Sequence, residues 1–72
     1  MIDNEQLQNW FTHHPPTDQR TIESYETIRA AGLAFATVIR DLTPPSADQT
    51  AAVRKVREAV MTANAALACG GA

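Results

Sequence analysis

The 72-residue chain has one cysteine, two histidines, three glycines, four aromatic residues and no excess of positive charge. Each shortage excludes something. Cys69 alone cannot form an intrachain disulfide and reads as an ordinary reduced thiol. His13 and His14 are neighbours, with no histidine at helical spacing and no cysteine pair, so no metal-ligand set is present and no metal is expected. Six basic against eight acidic residues give a net charge of −2, which argues against a general DNA or membrane binder. No apolar run approaches the ~20 residues that span a bilayer. Met1-Ile2-Asp3-Asn4-Glu5-Gln6 is polar and acidic, unlike a signal peptide, so the cytoplasm is the expected compartment. No strand is predicted, no glycine-rich loop follows one, and no nucleophile has a base at a fixed spacing. The chain therefore does not read as an enzyme, and no cofactor is expected.

What remains is helix. His13-His14-Pro15-Pro16 and Thr43-Pro44-Pro45-Ser46 cut the chain into a short head and two long segments of nearly equal length. In the first long segment Tyr25, Ile28, Gly32, Phe35, Ile39 and Leu42 recur at steps of three and four. Val53, Val56, Val60, Ala63 and Leu67 do so in the second. Both are a/d seams of a coiled-coil-like pair. Two prolines in a short link stop the helices from continuing in line, so they fold back antiparallel. The predicted fold is all-α: a head helix within residues 1–14, helix 18–42 capped by Thr17 or Asp18, and helix 46–68 ended by Gly70-Gly71. Ser46 and Gln49 are expected to form a capping box. In the head, Leu7, Trp10 and Phe11 share one face, with Asp3 or Asn4 as cap.

One domain of this size hides only about 60% of its unfolded surface and ordinarily needs a staple or partner chains. With disulfide and metal excluded, assembly into a helical homo-oligomer is the expected source of stability. Alanines on both helices leave flat apolar surfaces beyond the seam where neighbouring hairpins could pack. A second stripe lies one step round from each seam: Arg29, Leu33, Ala36 and Arg40 on one helix, and Arg54, Arg57, Met61, Asn64 and Ala68 on the other. It reads either as a solvated face or as a contact whose edges present guanidinium groups to an anion.

The head supplies Trp10, Phe11, His13 and His14 beside a rigid Pro-Pro turn, and Tyr25 and Arg29 stand at i and i+4 near the same end. Rings that stack on bases and arginines that pair with phosphate are the usual tools for holding nucleotides. Trp10 and Phe11 also fit a plain docking face, so these residues alone leave the ligand open. A structural or adaptor hairpin, binding a protein partner through the Met61–Ala68 stripe, is the alternative. A DNA-binding regulator is disfavoured because the basic residues form no recognition helix.

The order of motifs carries more than any one of them. His13-His14-Pro15-Pro16 precedes Tyr25-Glu26-Thr27-Ile28-Arg29, an alanine-rich helix, Thr43-Pro44-Pro45-Ser46, and Glu58-Ala59-Val60-Met61-Thr62-Ala63-Asn64-Ala65-Ala66. In this arrangement the chain resembles the phage family of anti-CBASS and Thoeris anti-defence nucleotide sponges, over about residues 11–68. The resemblance implies a homohexamer, commonly a trimer of dimers, in the bacterial host cytoplasm. It implies binding without cleavage of cyclic dinucleotides, cyclic trinucleotides or cyclic ADP-ribose isomers. It assigns base stacking to Phe11, His13 or His14 and phosphate to Arg29, with a second site on the last helix at Arg54, Arg57 and Asn64. Relatives often carry tyrosine before His-Pro-Pro where this chain has His13.

Overall fold

The computed structural model describes residues 1–16 and 18–71. Three helices account for most of the chain: α1 (Asn4–Trp10), α2 (Gln19–Leu42) and α3 (Ala47–Ala68). Asp3 caps α1 through a complete capping box. Its carboxylate accepts from Gln6 N at 2.8 Å, and the Gln6 side-chain oxygen accepts from Asp3 N at 3.2 Å. Asp18 caps α2, accepting from Thr21 N at 2.8 Å; Thr17, the other expected cap, lies outside the described residues. α3 ends in a Schellman motif. Gly71 N donates to Ala66 O at 3.0 Å and Gly70 N to Leu67 O at 3.4 Å. Gly70 has φ +65°, a left-handed conformation that favours glycine.

The α2–α3 turn departs from the expected capping box. Ser46 Oγ accepts from Gln49 N at 3.1 Å, but the Gln49 side chain does not return to Ser46. Its amide donates instead to Arg40 O at 3.1 Å and Thr43 O at 3.0 Å. Carbonyls at the end of a helix lack helical donors, so one glutamine on α3 satisfies two acceptors at the end of α2. That ties the turn shut across nine residues of sequence.

α2 and α3 pack against each other, but the seam differs from a strict heptad. All five expected α3 positions are half-buried, as are Tyr25, Ile28, Gly32 and Ile39 on α2. Phe35 and Leu42 are not: they are 60% and 79% exposed, and Ala36 turns inward in place of Phe35. A straight helix drifts ~20° per heptad against a 3.5-residue repeat, which carries the stripe off its partner by the third turn. Leu42 is the last residue of α2.

Gly32 marks the closest approach. A Cβ built there would lie 2.5 Å from Val60 Cγ2, so the valine occupies the volume that any side chain at 32 would need. Glycine costs roughly 1 kcal/mol of helix propensity; here close packing offsets it.

The Cα envelope measures 44 × 32 × 15 Å. Its smallest dimension is little more than the ~10–12 Å diameter of one helix. The molecule is a single layer, whereas domains bury a core between two or more. That geometry explains why no described residue is buried, polar or apolar.

Candidate functional site

A slab one helix thick has two broad faces, and the second stripe of each helix lands on the same one. Arg40, Arg54 and Arg57 border a hollow of about 470 Å³ floored by Leu33, Ala36 and Val53. It continues along the hairpin past Val56, Val60 and Met61 to Arg29. The two stretches share Leu33, Ala36, Val53 and Arg57, so they form one trough. Four of the six basic residues of the chain line it, and no carboxylate does.

Arg40 Nε donates to Asp41 Oδ1 at 2.9 Å, an exposed pair between sequence neighbours. Such a pair contributes little and leaves the guanidinium accessible. Arg29, Arg54 and Arg57 have no ion pair among the described residues. Each guanidinium carries five donors in a planar fork that suits phosphate or carboxylate oxygens. The floor also offers Thr37, whose hydroxyl donates to Leu33 O at 2.8 Å. The trough can therefore take a ligand that is anionic at its edge and flat or apolar beneath.

The second hollow, about 320 Å³, lies where the head meets the open end of the hairpin. His13, His14, Pro15 and Pro16 form one wall, Thr21 and Tyr25 of α2 a second, and Leu67 and Ala68 of α3 a third. Asn9 holds this end together. Its side-chain amide donates to Cys69 O at 3.1 Å, while its own carbonyl receives His14 Nε2 at 2.7 Å and Cys69 Sγ at 3.8 Å. A carbonyl only accepts, so His14 carries its proton on Nε2. Both hollows fall in the range of roughly 300–1,000 Å³ typical of small-molecule sites.

The expected site residues divide between these places. His13, His14 and Tyr25 come together in the head cleft. Arg54 and Arg57 line the trough, and so does Arg29, which the sequence had suggested near the head aromatics. Four residues beyond Tyr25, Arg29 is about 6 Å up the helix axis and 40° further round, which turns it toward Arg57. The head cleft consequently has no basic residue in its lining. Phe11 is not in the cleft either: it is 84% exposed and borders a separate hollow with Asn4, Leu7 and Gln8. Asn64 is half-buried, with Oδ1 shielded from solvent and no donor in reach; it lines neither hollow.

Arg40 and Thr37 also line the trough, beyond the site residues the sequence suggests. Arg40 stood in the same four-three-four stripe as Arg29, so its placement was readable. Thr37 lies outside that stripe, and only the packing brings it in. At the start of α2, two hydrogen bonds from Thr21, first its backbone N–H and then its hydroxyl, hold the exposed Asp18 carboxyl below its ordinary value.

Comparison with known proteins adds one match. The family described as Acb2/Tad1, hairpin domain, matches residues 3–68, nearly the whole chain. No curated protein and no solved structure matches.

Proposed function

Because the chain belongs to the Acb2/Tad1 hairpin family, the phage anti-CBASS and anti-Thoeris sponge proteins, we propose that it sequesters cyclic oligonucleotide second messengers. It holds them without cleaving them and so blinds a nucleotide-signalled antiphage defence. The ligands are cyclic dinucleotides, cyclic trinucleotides or cyclic ADP-ribose isomers, and the working form is a homo-oligomer, with six copies as the family resemblance implies.

The observation that carries this reading is the trough. Four guanidinium groups share one face of a protein whose net charge is −2, and no carboxylate lines that face. Local field outweighs total charge in attracting an anion. Charge-assisted, bidentate contacts to phosphate are the strongest hydrogen bonds such a face can offer. The apolar floor accepts the flat side of a base or a ribose edge. The head cleft, with two imidazoles and a phenol but no cation, suits bases better than phosphates. Trough and cleft thus act as separate sites.

The deciding experiment mixes the purified protein with a panel of cyclic di- and trinucleotides and cyclic ADP-ribose isomers, removes unbound ligand, and heats the complex. Recovery of an intact ligand is the expected result. Chemically altered ligand would mean an enzyme. Failure of every member to bind or to raise the melting temperature would favour the adaptor reading, in which the exposed Met61 side of the hairpin holds a protein.

A further inference from the structure

We infer that the head cleft selects its ligand by an amino group. Its walls present hydrogen-bond acceptors whose own hydrogens are already committed, so it takes the amino edge of a nucleobase rather than a phosphate. This deepens the nucleotide reading proposed above and rests on it, for the cleft alone and not for the trough.

His14 sets the pattern. Its Nε2 lies 2.7 Å from the Asn9 carbonyl oxygen, and a carbonyl can only accept, so the neutral ring holds its hydrogen there. The bond at one ring nitrogen fixes what the other can do, and Nδ1 is left with a bare lone pair. Asn9 is itself anchored, because its side-chain amide donates to Cys69 O at 3.1 Å, just past the end of α3. Asn9, His14 and Cys69 are all half-buried. Asn9 is thus a positioning residue: it acts on the cleft through the ring of His14.

Thr21 repeats the pattern on another wall. Its backbone N–H and its hydroxyl both donate to the Asp18 carboxylate, which leaves the hydroxyl oxygen as an acceptor. Pro15 and Pro16 have no N–H to offer, and Leu67 and Ala68 bring apolar side chains. Those two residues are also the last of α3, and the C-terminal end of a helix carries partial negative charge, which favours donors over anions. Thr21 stands near the opposite, positive end of α2, but Asp18 already occupies that end as its cap. Neither a cationic lysine or arginine nor a carboxylate lines the cleft. A phosphate would find no cation here, and an ammonium no counter-charge. A neutral amino group, with two N–H donors on one nitrogen, suits acceptors on two walls. His13 and Tyr25 supply rings on which the base that carries it can stack.

Calorimetry with cyclic di-AMP and with its analogue carrying purine in place of both adenines tests this selection, because the two ligands differ only in the amino groups. Loss of those groups should weaken binding roughly tenfold, the scale of one or two neutral hydrogen bonds. His14→Phe keeps a ring without the lone pair, and Thr21→Val keeps the side-chain shape without the hydroxyl. Each should shrink the preference for the amino ligand. Thr21→Val leaves the head untouched, so it decides the matter if His14→Phe unfastens the head. Proton–nitrogen correlation spectra of the imidazoles, recorded well above the imidazole titration range, should show His14 with its hydrogen on Nε2. Its Nδ1 signal should move upfield on adding cyclic di-AMP and stay in place with the purine analogue, the His14→Phe spectrum telling the two histidines apart. Equal affinity for the two ligands, or a hydrogen on Nδ1 in the free protein, would overturn the inference and leave sequestration standing. Binding of neither ligand would overturn it too, and the rest of the cyclic-nucleotide panel would then judge sequestration by itself.

Discussion

Leu33 and Phe35 stand two residues apart on α2, nearly equally exposed, on opposite faces of the same thin layer. Their surroundings share a floor. Gly32, Val56 and Val60 line both hollows, and small or branched apolar residues extend each of them. The rims differ: four arginines border one face and a single lysine the other. Apolar periodicity therefore marks both faces as contact surfaces without saying what each contacts. Charge, placed one step round the helix from the seam, separates a face suited to anions from a face that is almost wholly apolar.

The largest expected effect comes from breaking the arginine side of this contrast. Arg57 borders both stretches of the trough, and Arg57→Ala should cost about 1.5–3 kcal/mol of cyclic-nucleotide affinity by calorimetry, the scale of a hydrogen bond to a charged group. Arg29→Ala should cost a similar amount, and Arg29→Lys should recover only part, since an ammonium cannot make the forked contact. Affinity unchanged in both alanine variants, with assembly intact, would take the trough out of the ligand site.

Gly32→Ala acts on both faces at once. The new methyl meets Val60 Cγ2 at 2.5 Å, and a β-branched side chain in a helix has almost no alternative rotamer. Overpacking of this kind costs typically 1–3 kcal/mol, against a propensity gain of roughly 1 kcal/mol, so denaturant melts should show a modest net loss. A stabilised variant would mean that α2 and α3 separate easily.

A smaller effect is expected at the head, which neither face includes. His14→Ala removes the bond to Asn9 O and should loosen the head by about 1 kcal/mol. Amide exchange should rise in α1 while trough affinity stays constant. Loss of trough binding as well would merge the two hollows into one composite site. Smallest of all is the Asp18 cap. Its folded carboxyl lies below the ordinary value, so its contribution is fully present above that value. It fades as the pH falls through the lowered one. Acid should fray the start of α2 before the rest, and Asp18→Asn should flatten that acid dependence in an NMR titration.

Much of this molecule was legible in its sequence because the signals were local. Two proline pairs, a cap at Asp3 or Asn4, another at Thr17 or Asp18, Ser46 and a Gly-Gly stop announce three helices, and alternating steps of three and four announce the hairpin. What escaped was geometry that accumulates or reaches far. Phe35 fits a heptad on paper, yet slow drift of a straight helix puts Ala36 inward and the phenyl ring outward. Arg29 reads as a neighbour of Tyr25, although a forty-degree turn is enough to send it to the trough. The tie between Asn9 and Cys69 spans 60 residues, and nothing local in either residue foretells it. The spacing of Gln49 fits half of a reciprocal cap, but its amide finds two acceptors across the turn instead.

At Gly32 the layer has no side chain of its own, and the same two valines line the hollow on either side. Anything that wedges or squeezes the helices on one face must therefore move the floor of the other. A partition this thin gives the two chambers one common wall, so whatever fills one of them resets the wall of the other.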